Sequence, residues 1–177
     1  MNVAELLREE HSRTQTDFVA KIIYTHPHLF GELWKIFMSN EEPISRRAAW
    51  VVDVCSEEHP EWIAPLLSEL IETFPGFRHD GLKRHSLRIL ARSPLPAGKL
   101  GELASTCFDW LLLRDESVAT KMYCMEILYR ISELEPDLKH ELADSIRMQM
   151  EEGTPGIRSC GKRLLEKLSK ERSRLSY

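Results

Sequence analysis

Apolar residues recur along this chain at helical spacing, in stripes broken by short polar turns. In residues 60–70, Ile63, Leu66, Leu67 and Leu70 fall on one face at the 3.6-residue period. Pro60 suits the first turn of that helix, where a missing N–H costs nothing. Pro27 and Pro136 open equivalent helices. Counting from each proline, the sixth residue on is Leu33, Leu66 or Leu142, and the tenth is Phe37, Leu70 or Ile146. The shared register predicts a repeated helix with these positions in its core.

A second helix follows each of these, opened by a recurring phrase of acid, turn residue, aliphatic residue and base. The copies are Glu41-Glu42-Pro43-Ile44 with Arg46-Arg47, Asp80-Gly81-Leu82 with Lys83-Arg84, Asp115-Glu116-Ser117-Val118 with Lys121, and Glu151-Glu152 with Pro155-Gly156-Ile157-Arg158. The aliphatic anchors Ile44, Leu82, Val118 and Ile157 lie 38, 36 and 39 residues apart, a period that marks a helical solenoid. The acids sit at helix starts, where they favour the positive end of the dipole. Four residues after the anchors come Ala48, Ser86, Met122 and Gly161, three of them small; seven after come Val51, Ile89, Met125 and Leu164, all apolar.

The pattern predicts two N-terminal helices, over 2–11 and 13–25, then four helix pairs over 27–58, 60–93, 97–133 and 136–170. Ser93-Pro94-Leu95-Pro96-Ala97-Gly98 replaces the single proline of the third pair, so that connection is expected to be longer or bent. A single domain over 1–177 is expected: N-terminal capping helices in 1–26, repeats in 27–170 and a frayed polar tail in 171–177.

Composition narrows the function classes. A net charge of −4 gives no bulk attraction to nucleic acid or anionic membrane, so any basic site must be local. No apolar run reaches the roughly 18–20 residues that a membrane helix needs. The N-terminus lacks the basic start and apolar stretch of a secretory signal, and a cytoplasmic location is expected. Cys55, Cys107, Cys124 and Cys160 form no Cys-x-x-Cys motif and sit inside helical patterns, as reduced core thiols do. The histidines at 11, 26, 28, 59, 79, 85 and 140 show no metal-binding spacing and read as turn residues; no metal and no cofactor is expected. Nucleotide-binding glycine loops and the Gly-x-Ser-x-Gly elbow are absent from the sequence.

The phrases Ile44-Ser45-Arg46-Arg47-Ala48-Ala49-Trp50-Val51-Val52 and Gly156-Ile157-Arg158-Ser159-Cys160-Gly161-Lys162-Arg163-Leu164-Leu165 resemble the second helix of a HEAT repeat. The resemblance covers roughly residues 27–170. Val118 to Leu128, with the C-terminal helix from Gly156 to Leu168, also resembles small bacterial HEAT-like proteins. The resemblance implies an all-α, right-handed α-α superhelix of the armadillo type, with about four helix pairs. It further implies that the second helices line a concave side.

On that side the basic residues would form a ladder of Arg46, Arg47, Lys83, Arg84, Lys121 and Arg158, with His85, Arg88 and Arg92 added to the second rung. Trp50 lies off the stripe of Ala48, Val51, Val52 and Cys55, near Arg46, Arg47 and Asp53, as a stacking platform would. Arg46, Arg47, Trp50, Asp53, Arg84, Arg88 and Lys121 are therefore the candidate binding residues, expected on one solvent-facing surface. The reading that follows is a non-catalytic scaffold for a protein or peptide partner. The alternative is nucleic-acid binding or DNA repair. Some glycosylases for alkylated purines are built from HEAT-like repeats with aromatic, carboxylate and arginine side chains in a cleft, and Trp50, Asp53 and Arg88 are similar to that set.

Overall fold

The computed structural model describes the backbone of residues 2–174 and the side chains of residues 2–170; the tail expected to fray over 171–177 lies outside the latter. Every regular element described is a helix. The helices divide into two compact units, Met1–Pro96 and Ala97–Tyr177. The boundary falls in the proline-rich stretch where a longer connection is expected.

The first unit begins with α1 (Val3–Glu9) and α2 (Arg13–Thr25), close to the two helices read from the sequence. Asn2 caps α1 and Ser12 caps α2 through side-chain oxygens. A 3-10 turn from Pro27 leads into α3 (Phe30–Met38), and α4 (Ile44–Glu58) follows. Asn40, at φ 57° in the turn between them, takes the left-handed conformation that asparagine tolerates. Next come α5 (Pro60–Ile63), α6 (Leu67–Thr73) and α7 (Asp80–Arg92). Helix α4 is the hub of this unit, packed against α1, α2, α3 and α7.

The expected core register holds at nearly every position. Leu33, Phe37, Leu70, Val51 and Ile89 are buried, as are Ala48 and Ser86. Leu66 is the correction: it is only partly covered, although Ile63, Leu67 and Leu70 of the same stripe are buried. The cause is Pro65. It lies inside the helix that the pattern predicts, and Ala64–Leu66 winds there as a 3-10 turn between α5 and α6. The tighter winding of three residues per turn rotates Leu66 away from the core, while the rest of its stripe stays buried.

The second unit holds α8 (Leu100–Leu112), α9 (Val118–Leu134), α10 (Leu138–Glu151) and α11 (Pro155–Arg174). Leu142, Ile146, Met125, Leu128, Ile157 and Leu164 form its core. Of the anchors, Val118 is 39% exposed and does not act as a core residue. Gly161 lets α11 approach α10 closely: a Cβ there would lie 2.6 Å from Met150 Sδ and 3.0 Å from Ile146 Cγ2, and the flexible Met150 side chain would have to move. Gly153, in the α10–α11 turn, is more constrained. Its Cβ would meet the Gln149 carbonyl oxygen at 2.4 Å and Ile157 Cγ2 at 2.7 Å. Backbone cannot yield as a flexible side chain can, so Gly153→Ala is expected to destabilise the protein by about 1–3 kcal/mol. An unchanged urea midpoint would show that the turn relaxes freely.

Candidate functional site

Helices α4 and α7 bring most of the candidate residues together, and they do so in two layers. The inner layer is an ion-pair cluster centred on Asp53, which is 1% exposed. His85 Nδ1 donates to Asp53 Oδ2 at 2.7 Å, and Arg88 Nη1 lies 3.1 Å from the same oxygen. Arg92 Nη2 pairs with Asp53 Oδ1, donates to the Asp53 carbonyl at 2.6 Å and reaches Ser56 Oγ at 2.5 Å. Glu57 Oε1 takes the outer side of both guanidiniums, 3.3 Å from Arg88 Nη2 and 3.2 Å from Arg92 Nη1. Burial alone would raise the carboxyl pKa of Asp53. The His85 hydrogen bond and the Arg92 charge outweigh it and hold the group below the usual carboxylate range.

This corrects the expectation that Asp53 and Arg88 face solvent as free binding groups. Asp53 is buried, and Arg88 is spent on pairing. Arg47 is also structural: its Nη1 donates to the Leu7 carbonyl at 2.8 Å and the Arg8 carbonyl at 3.1 Å, tying α4 to the C-terminal end of α1. Three of the candidate residues thus hold helices together: Asp53, sealed from water, must find partners, and Arg47 and Arg88 spend their donors on neighbouring helices.

The outer layer is an open cavity of about 260 Å³. Trp50 forms one wall, half-buried, its ring stacked on His85 at 6.0 Å between centroids and 21° between planes. His11 meets the indole edge to face at 5.5 Å. Arg46, Arg84 and His79 line it too, with Asp80 and Gly81 at the start of α7. Arg46 Nη1 lies 3.1 Å from His79 Nε2, and His79 Nδ1 accepts the Gly81 N–H at 3.0 Å, capping α7. Burial, then Arg46 and Arg47, push the His11 pKa down. Arg84 is exposed and has no ion pair among the described residues.

Sequence reasoning missed His11 and His79, which it read as turn residues, although His79 does sit in a turn. It also left His85 and Arg92 off the final set. Lys121 belongs to the second unit. Its Nζ donates to Gln149 Oε1 at 2.9 Å, linking α9 to α10. It lines a cavity of about 570 Å³ together with Arg114 and the apolar side chains of Leu112, Val118 and Met148. These three are unusually bare, at 48%, 39% and 59% exposure.

Among the described residues of the inner layer, the carboxylate of Asp53 is fully paired, and only Nε2 of His85 is left open, toward the outer layer. The Cys55 thiol is pushed up to about 12 by burial and so stays protonated at neutral pH. Among the described residues no three His, Cys, Asp or Glu side chains are grouped to hold a metal ion.

A HEAT repeat domain matches residues 3–168, nearly the whole described chain. The chain belongs to the HEAT-repeat family. No curated protein and no solved structure matches it. HEAT-repeat domains are in general non-enzymatic scaffolds, which is the class expected for this protein. Among the described residues of this HEAT-repeat protein, no helix is long and apolar enough to cross a membrane.

Proposed function

We propose that this HEAT-repeat protein is a non-catalytic scaffold that binds a protein or peptide partner on its helical surface. The observation that carries the reading is the cavity of the second unit, where Leu112, Val118 and Met148 stand exposed around Lys121 and Arg114. An apolar centre with methionine, inside a polar rim where Arg114 and Lys121 alternate with Glu116, Glu151 and Glu152, is the composition of a protein-binding surface. Arg46, Trp50 and Arg84 serve as contact residues in the first unit, with Arg47, Asp53 and Arg88 holding them in place. The match over residues 3–168 supports reading 1–177 as one repeat domain. Four free, buried cysteines support a cytoplasmic location.

Nucleic-acid binding is the second reading, and the basic lining of the Trp50 cavity favours it. The glycosylase-like version is weakened by Asp53, whose carboxylate is enclosed by His85, Arg88 and Arg92 and is turned to pairing rather than to chemistry.

The test is affinity capture from the native host with wild type, Met148→Glu and Arg84→Glu, alongside DNA binding at about 50 and 200 mM salt. A protein held by wild type and lost by Met148→Glu is the expected result, with no DNA retained at either salt. DNA held at the lower salt, released at the higher and abolished by Arg84→Glu would replace the scaffold with a nucleic-acid binder.

A further inference from the structure

We propose that the cavity beside Trp50 is a receptor site for a phosphate monoester, supplied by a phosphorylated side chain of the bound protein. This rests on the scaffold reading and adds the chemistry of what the first unit grips.

His79 sits at the turn before α7 with both ring nitrogens engaged. Its Nδ1 accepts the Gly81 N–H at 3.0 Å and therefore carries no proton, which places the proton of the neutral ring on Nε2. Arg46 Nη1, a group that only donates, stands 3.1 Å from that Nε2. Two donors thus face one another. The nearest carboxylate oxygen, Glu42 Oε2, is 4.0 Å from His79 Nε2, beyond hydrogen-bond reach. A shared anionic acceptor resolves the conflict. Arg46 Nε repeats the theme: it is buried without a hydrogen bond, because Glu42 Oε2 at 3.2 Å is misaligned with it.

The rest of the lining agrees. The His85 side chain is 6% exposed and lines the cavity; Nδ1 is taken by Asp53, and Nε2 has no partner among the described residues. That nitrogen accepts from a protonated phosphate oxygen when the ring is neutral and donates to a bare one when the ring is charged. The Trp50 indole N–H has no hydrogen-bond partner, and Arg84 has no counter-ion, among the described residues. The first residues of α7, a helix of 13 residues, add the positive end of its dipole.

Shape and number select the ligand. A cavity of about 260 Å³ falls below the usual range for whole small-molecule ligands and suits one side-chain-sized group. Donors from Arg46, His79, Trp50 and Arg84 exceed what two carboxylate oxygens use, and they match the three oxygens of a phosphate. Asp80, on the rim, is the one acid in the lining. The buried Asp53 cluster beneath fixes His85, so the site is formed before the ligand arrives.

The experiment titrates inorganic phosphate into ¹⁵N-labelled full-length protein, following the Trp50 indole signal, assigned with Trp50→Phe, and the His85 ring signals. A saturable shift of both is expected, with affinity reduced about tenfold or more in Arg84→Gln and in Arg46→Gln. Arg84→Gln removes an exposed cation with no ion pair among the described residues, so its fold is preserved even if Arg46→Gln perturbs the turn. No saturable shift by about 50 mM phosphate, or an Arg84→Gln affinity equal to wild type, overturns the site. A phosphoserine peptide should then bind more tightly than its serine twin. Tighter binding by a 5′-phosphorylated oligonucleotide, with no gain for the phosphopeptide, overturns the side-chain assignment. If a captured protein partner depends on Met148 while phosphate never binds, this inference falls alone and the scaffold reading stands.

Discussion

Asp53→Ala is expected to destabilise the protein by about 3–5 kcal/mol, because it removes the shared anion of a buried charge cluster. In its absence His85 loses the one hydrogen-bond partner it has among the described residues, Arg88 keeps Glu57 at the solvent edge, and Arg92 keeps Glu57, Ser56 Oγ and the backbone carbonyl of residue 53. The side chains of Arg88 and Arg92 are 35% and 31% exposed, so water softens the loss and the lower end of the range is expected. Glu57→Gln, at a side chain 46% exposed, should cost under about 1 kcal/mol. Urea unfolding compares the two. If both variants cost the same small amount, the cluster does not hold α4 to α7.

The same residue gives a pH dependence with a definite sign. The Asp53 carboxyl titrates lower in the folded protein than in the unfolded chain. Its contribution is therefore complete above the unfolded value, near pH 4, and is lost as pH falls through the folded value. The gap in midpoint between wild type and Asp53→Asn should stay level between about pH 7 and 5, where the depressed His11 costs both proteins alike, and wild type should lose the Asp53 share below about pH 4. Asp53→Asn, which cannot ionise, should lack this share of the acid loss, so the gap between the two proteins narrows at low pH. A gap that stays constant down to about pH 3 would mean that the pairing does not depress the carboxyl.

Much of the architecture was legible because it rests on spacing. The anchors at 44, 82, 118 and 157 and the in-register positions after them mark the helix starts and most of the core. The binding residues were harder to read because a charge on a helix looks the same whether it faces water or a buried partner. A signal was present: on α7, His85, Arg88 and Arg92 follow the i, i+3, i+7 spacing of one face, and on α4 Asp53 lies four residues from buried Ala49 and three from buried Ser56. A carboxylate on a buried stripe requires partners. The cavity residues His11 and His79 come from a loop and a turn, where no periodicity reports position. Exposure in the second unit was missed for a related reason. Val118 occupies an anchor position in the repeat, but its side chain at the start of α9 is left uncovered.

Phe37→Ala is expected to cost about 3–5 kcal/mol, the range for emptying a well-packed aromatic site. Phe37 is fully buried on α3, with its ring 5.4 Å from Trp34 in an edge-to-face contact and 5.6 Å from Phe77. Trp34 cannot move to fill the space without giving up the bond from its indole N–H to Glu69 Oε2, at 2.9 Å. The cavity therefore stays open, and the lost contacts are not recovered. Leu66→Ala is the matched comparison, since Leu66 was expected at an equivalent core position and is only partly covered. It should cost well under half as much as Phe37→Ala, because less apolar surface leaves the core. Equal losses at the two positions would restore Leu66 to the core and remove the outward turn ascribed to Pro65.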